Sequence, residues 1–322
     1  MVIDIYIVTW YRISYIRYIW KKFKKKKNAI LERNRPISYI MVGPWALMFI
    51  VFGVIPVLAG IVLSFTSYDM LNTPKFVGID NFVRLFLDDD IFAIALKNTL
   101  IMAIVTGPLG YLLNFVFAWG INESPKKVRN ILTFLFYAPS LGGSLVFIFQ
   151  LIFSGDSYGL LNGFLLEYGL IDAPIQWLTN KDYCFTIVII VSLWLSCGTG
   201  FLTFLAGLQS LNREYSEAGA IDGIRNRWQE LFYITLPQMR PQLLYGAVGT
   251  ISGSFGAGGL NASLTGNPST DYCTHTISLH LGDCAFTKLE MGYAGAITIV
   301  LFAMMLTYWF FVNKALQRWS TD

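Results

Sequence analysis

The sequence predicts an all-α, polytopic membrane protein with six transmembrane helices and one large charged loop. Three observations carry that prediction. Of 322 residues, 55% are hydrophobic and 14% are charged, where an ordinary soluble domain has about 25% charged. Apolar runs of about 20 residues recur along the chain, long enough to cross ~30 Å of hydrocarbon at 1.5 Å per residue. Between two of these runs, the stretch from Asn212 to Pro241 carries four basic residues (Arg213, Arg225, Arg227, Arg240) and four acidic ones (Glu214, Glu217, Asp222, Glu230), too many charges to sit in lipid.

Residues 1–37 are expected as a basic cytoplasmic tail. Met1 to Trp20 is rich in Tyr, Ile and Trp but is interrupted by Asp4, Arg12 and Arg17, and the run Lys21 to Lys27 follows at once. A signal peptide carries its charge ahead of its apolar stretch, and a central Arg costs about 2.5 kcal/mol or more on insertion. The segment therefore reads as an amphipathic helix lying on anionic membrane lipid, with a seventh span as the alternative. Residues 38–322 read as one transmembrane domain. Its spans are expected near Ser38 to Phe65, Thr99 to Trp119, Ile131 to Phe153, Tyr183 to Gly207, Leu243 to Leu264 and Tyr293 to Val312.

Lys and Arg set the orientation. With the N-terminus inside, nineteen fall on the cytoplasmic side and five (Lys75, Arg84, Lys97, Lys181, Lys288) outside, so both termini and the charged loop are expected in the cytoplasm. The same bias accounts for the net charge of +4 without nucleic acid. No GxxxxGK[ST] run is present, so the chain does not hydrolyse ATP by that route. No acid or base lies within a span, which argues against a proton relay, and no nucleophile, metal cluster or carboxylate pair lies at membrane depth, which argues against an enzyme.

Within the charged loop, Asn212 is placed to cap a helix, Glu214 to sit in its first turn, and Gly223 to end it. A second helix is expected from near Asn226 to just before Pro237. Glu217, Ala218, Gly219, Asp222 and Gly223, followed by Ile234, Thr235, Leu236 and Pro237, resemble the cytoplasmic EAA loop of bacterial ABC importer permeases, with two departures. Gly219 stands where that pattern has Ala, at a cost to an isolated helix of up to about 1 kcal/mol, and ten residues rather than about nine separate Gly223 from Ile234. The stretches Phe76 to Phe82, Gly159 to Asn162, Ala206 to Leu211 and Leu264 to Ser269 are similar to segments of the carbohydrate-uptake branch, which includes maltose and glycerol-3-phosphate systems.

The resemblance implies a permease subunit of an ATP-driven sugar importer in the bacterial cytoplasmic membrane. It implies a second permease subunit, two ATP-binding subunits that consume ATP, and an extracytoplasmic solute-binding protein. The chain itself would bind no cofactor and no metal and do no covalent chemistry. The loop over 212–241 would couple it to the ATPase, with Glu214, Glu217, Ala218, Gly219, Asp222 and Gly223 as the contact residues. Glycerol phosphate or another small solute is the nearer alternative cargo, and an ion-coupled secondary transporter the more distant one.

Trp194, Ser196 and Thr199 in the fourth span and Asn114 in the second have the aromatic and hydrogen-bonding groups a sugar site uses, although bonding between helices is the commoner use of such residues. The glycine-rich end of the fifth span, where Gly256 to Asn261 is expected to be barely helical, reads either as close helix packing or as a border of the substrate path. Trp194, Thr199, Gly256 and Asn261 are the substrate-path candidates. His275 and His280 with Cys273 and Cys284 share one external loop. Their spacing matches no zinc site, and a Cys273–Cys284 disulfide or free thiols are the open alternatives.

Overall fold

The computed structural model describes residues 39–141 and 146–321; the expected basic tail and the Gly142-Gly143 pair lie outside the described residues. The chain divides at Ala59 into two compact units, residues 1–59 and 60–322. Helix α1 (Tyr39–Ser64) is long and apolar enough to cross a membrane. It widens into a π turn over Ile50–Val54, directly ahead of Pro56, whose missing N–H breaks the regular ladder. A short hairpin follows, β1 (Thr66–Ser67) antiparallel to β2 (Lys75–Phe76) with Thr66 opposite Phe76, then α2 (Asp80–Val83) and a π turn over Arg84–Asp88.

The second span, α3 (Asp90–Asn122), begins nine residues before the expected Thr99 because Asp89 caps it by accepting from the Phe92 N–H at 2.9 Å. Pro108 lies inside it without ending it. Where the third span is expected there are two described pieces, α4 (Lys126–Leu141) and α5 (Val146–Ile152), after which α6 (Leu160–Glu167) lies in the connection. The fourth is α7 (Lys181–Leu195) and α8 (Thr199–Gln209), parted at residues 196–198. The loop helices are α9 (Arg213–Ile221), α10 (Arg227–Glu230) with a π turn over Leu231–Thr235, and α11 (Leu236–Gln238).

The helical path thus continues through Pro237, where it was expected to stop. The π turn delivers Pro237 to the first turn of a new helix, a position at which its missing donor is not needed. The fifth span is α12 (Arg240–Phe255) and α13 (Gly258–Thr265). Here too the sequence reading is corrected: the break is confined to Gly256 and Ala257, and Gly258 onward is helical because buried Gly258 packs on Ser278, contact that outweighs poor propensity. After α14 (Ile277–Gly282) and a π turn over Asp283–Thr287, α15 (Met291–Thr321) ends the described chain.

Four helices among the described residues have the length and composition to span: Tyr39–Ser64, Asp90–Asn122, Lys181–Gln209 and Met291–Lys314. α3, α8 and α12 pack together, with α15 against α12. At one end the core is Phe115, Phe201, Phe204, Leu231 and Met239; at the other it is Leu85, Phe92, Ile277, Cys284 and Ile297. The charged loop lies at the first end and the α13–α15 connection at the second.

Candidate coupling loop and solute cavity

The charged loop is a short helix set on a second one. Asn212 Oδ1 accepts the Glu214 N–H at 3.1 Å and its amide donates to Glu214 Oε2 at 3.0 Å, which caps α9 as expected. Gly223 takes φ +98°, and the Ile224 N–H returns to the Gly219 carbonyl at 2.9 Å, a left-handed stop that glycine adopts without penalty. Asn226 caps α10 through the Gln229 N–H at 2.8 Å. Of the six candidate contact residues, Glu214, Glu217, Ala218, Asp222 and Gly223 are exposed, and Gly219 is buried. A Cβ on Gly219 would run into Ile234 Cδ1 and come within 3.0 Å of Ile224 Cδ1. The departure from the Ala of the family pattern is therefore a notch that lets α9 lie on Ile234. Beside these carboxylates Ile221 is 88% exposed, an apolar tip left bare by the described residues.

No local pattern announces what holds α9 and α10 to the rest of the molecule. Arg227 donates to Glu230 on its own helix at 2.7 Å and pairs with Glu123, just past the end of α3, at 3.4 Å. Trp228 packs on Trp119 of α3 with ring centroids 5.0 Å apart. Burial raises the Glu230 carboxyl pKa, but hydrogen bonds from Arg227 and Ser216 outweigh it and hold the group below its ordinary value. Ser216 belongs to α9, so one run of contacts joins α9 to α10 and α10 to α3. An exposed ion pair alone is worth under about 1 kcal/mol; the tilted, packed tryptophan pair makes the joint. A polar cleft of ≈ 510 Å³ opens between these elements, with Arg129, Arg213 and Glu217 on its walls.

At mid-span a second cavity of ≈ 420 Å³ lies where α7 gives way to α8. Asn114 of α3, fully buried, donates to the Ser196 carbonyl at 3.1 Å, so it serves the broken helix directly and takes the helix-bonding role. Thr106, Ser192, Ser196, Thr250 and Ser254 line the cavity, and Gly249 and Gly253 form part of its wall. An added Cβ at either glycine meets nothing within 4 Å. Among the described residues these glycines therefore open onto a cavity and meet no neighbouring helix.

Of the four substrate-path candidates, Thr199 stands in sequence between Gly198 and Gly200, which line this cavity, and the other three lie elsewhere. Trp194 lines a separate, apolar cavity of ≈ 520 Å³ with Phe117, Phe136 and Phe149. Thr199 opens α8, next to the break. Gly256 is exposed at the break of the fifth span, and Asn261 is buried, its amide held by the Thr274 carbonyl at 2.8 Å. The polar lining of the mid-span cavity is mostly hydroxyls; Ser196 is singled out by the sequence, whereas Thr106, Ser192, Thr250 and Ser254 are ordinary helix residues with no periodic signal.

The opposite end is cross-linked. Asp89 accepts from Tyr293 at 2.6 Å and lies 2.9 Å from His280 Nε2, and Asn98 donates to the Tyr272, Cys273 and His275 carbonyls. The Cys273–Cys284 pairing is corrected: Cys273 is bonded to Cys184 at the start of α7, 89 residues away, while Cys284 is free and buried beside His280 at 3.8 Å. Proximity within one loop misled, because folding brings the loop to the outer end of the fourth span. Among the described residues no group of three or more His, Cys, Asp or Glu is arranged to hold a metal.

Residues 107–319 match the family model described as "Binding-protein-dependent transport system inner membrane component". The chain belongs to that family. The permease is 33% identical to the probable ABC transporter permease protein YesP of Bacillus subtilis (strain 168), over 91% of this chain and 94% of that protein. It is 31% identical to the arabinooligosaccharides transport system permease protein AraP of the same organism, over 85% and 86%. In structure it matches a bacterial ABC transporter involved in the import of the acidic polysaccharide alginate, with a TM-score of 0.74 and 25% identity, covering 89% of this chain and 97% of that one. The two family-pattern halves, α9 and Ile234 to Pro237, both fall inside the matched region, as do all the residues around the mid-span cavity except Thr106.

Proposed function

We infer that this permease is one membrane subunit of an ATP-driven importer for a sugar or oligosaccharide, and that it does no covalent chemistry itself. The observation that carries the reading is α9: a capped nine-residue helix displaying Glu217, Asp222 and a bare Ile221, in a chain whose relatives are sugar ABC permeases. Relatives named for lactose, arabinooligosaccharides and starch degradation products supply the solute class. The remaining parts follow from that reading. They are six spans in a single domain over 38–322, both termini in the cytoplasm, a second permease subunit, ATP-binding subunits that consume the ATP, and an extracytoplasmic binding protein that delivers the solute. A solved relative has been captured with its oligosaccharide-bound periplasmic protein, which supports the last of these.

In this mechanism the loop over 212–241 is the coupling element. Closure of the ATPase around nucleotide would carry α9 with it, since an apolar tip ringed by carboxylates fits a groove with a basic rim. The displacement passes from Ser216 to Glu230, and from Arg227 and Trp228 to Glu123 and Trp119 at the end of α3. Because α3 also contributes Thr106 and Asn114 near the break in the fourth span, the same rigid helix reaches the cavity, as alternating access requires. The test is co-purification of the tagged permease from its own membrane. The ATPase and a second permease are expected to come with it, and Glu217→Lys is expected to release at least 90% of the ATPase, about 1.4 kcal/mol or more of binding. A chain that purifies alone and still drives uptake without ATP would remove the reading.

A further inference from the structure

The mid-span cavity has a chemical bias. Four of its hydroxyls give their protons to their own helices: Thr106 to the Met102 carbonyl at 2.8 Å, Ser196 to Leu193 at 2.7 Å, Thr250 to Gly246 at 3.1 Å and Ser254 to Ile251 at 2.8 Å. A hydroxyl so engaged presents lone pairs to whatever stands before it. Ser192 Oγ is buried with no partner, although it is on the cavity wall. Among the described residues no Lys, Arg, His, Asp or Glu lines this space. The donors are few: the Tyr137 phenol is on the wall, and backbone N–H groups come from the first turn of α8, which no side chain caps, the latter carrying partial rather than whole charge.

A wall rich in acceptors and lacking any cation suits a ligand that donates many hydrogen bonds and bears no charge. A sugar ring does this; a carboxylate, which only accepts, would lose its water and find no counter-ion. We propose that this cavity is a transit site for a neutral glycosyl unit and that it discriminates against uronates, in contrast to the structurally similar importer of an acidic polysaccharide. This rests on the sugar reading above and narrows it.

The test uses the complete importer in proteoliposomes. First, Gly253→Cys, at a site with open space before its Cβ, is reacted with a glucosyl methanethiosulfonate and with the anionic sulfonatoethyl reagent, each rate normalised to a free thiol and to the unsubstituted protein. The neutral reagent is expected to react at least 10-fold faster; equal rates, or a faster anion, overturn the proposal whatever the importer carries. Second, ATP-driven uptake of lactose, arabinotriose, maltotriose and an alginate trisaccharide is measured. A neutral probe is expected to enter, with Ser192→Ala raising its KM roughly 5–10-fold, as for one lost hydrogen bond, and with Thr250→Val losing uptake that Thr250→Ser keeps. Entry of the alginate trisaccharide as fast as the neutral probes overturns the charge selectivity and leaves the sugar reading standing. Uptake of amino acids with no sugar carried at all removes the sugar reading itself, and this proposal with it.

Discussion

Gly219 is where the residue scale decides something. In an isolated helix Ala would be better by up to about 1 kcal/mol, yet here a methyl meets Ile234 and Ile224, and an overpacked contact costs typically 1–3 kcal/mol. Gly219→Ala should therefore lower the melting temperature of the detergent-solubilised permease or weaken ATPase retention, and Ile234→Val in the same chain should recover most of the loss. Recovery of nothing by the second substitution would show that the notch is not what sets this residue. Gly223 makes the companion case. At φ +98° any side chain is strained, and Gly223→Ala should cost about 1 kcal/mol of loop order, read as faster proteolysis between α9 and α10.

Elements in this permease are positioned by single buried polar side chains reaching across long stretches of sequence. Asn162 is fully buried: it donates to the Ser154 and Ile175 carbonyls at 3.1 and 3.0 Å, and accepts from the Ile175 N–H and the Trp177 indole at 3.2 and 2.8 Å. Removing it leaves several buried groups unpaired, so Asn162→Ala should destabilise the connection around α6 by roughly 2–4 kcal/mol and speed amide exchange over 154–177. Tyr158→Ala, at a side chain 94% exposed, should change neither, and equal protection in both variants would dispose of the clamp. Asn81 does the same work below α1, donating to the Ser64 and Thr66 carbonyls at 2.8 and 2.9 Å. The same distinction explains what was legible beforehand. The caps at Asn212 and Asn226, the stop at Gly223 and the long apolar α1 and α15 depend on neighbours in sequence, and the residues alone announce them. The break at 196–198 depends on Asn114, the disulfide on a cysteine 89 positions away, and the cavity on hydroxyls from three helices. No local pattern encodes these, and a conspicuous aromatic such as Trp194 does not by itself say which cavity it lines.

On a larger scale the two ends differ in kind, the one with the 212–241 loop charged, the opposite one tied by Asp89, Asn98 and the Cys184–Cys273 bond. A disulfide closing so long a loop contributes about 2–4 kcal/mol; Cys184→Ser and Cys273→Ser should lower the melting temperature equally, and Cys284→Ser should leave the non-reducing gel mobility unchanged. The outer end should also feel acid through His275. Its ring is 1% exposed and both nitrogens lack hydrogen-bond partners. Burial, and secondarily the neighbouring His280, push its pKa down to about 4, against smaller opposing pulls from Asp283 and Asp89 and a small further push from Lys288. The unfolded chain holds this proton below its ordinary value near 6.5. Between about pH 6.5 and 4, therefore, the unfolded state binds more protons than the folded one. Stability must rise with pH across that window and level off above it, by about 3 kcal/mol at most. Asp89 lies outside that window. Burial raises its carboxyl pKa, but hydrogen bonds from Tyr293, the Phe92 N–H and His280 outweigh it and hold the group below its ordinary value, so its contribution is lost only at still lower pH. Melting of the purified permease at pH 7.5 and pH 5 should accordingly show a drop that His275→Phe flattens and Cys184→Ser does not. An unchanged slope in His275→Phe would place the acid sensitivity elsewhere in the outer loops.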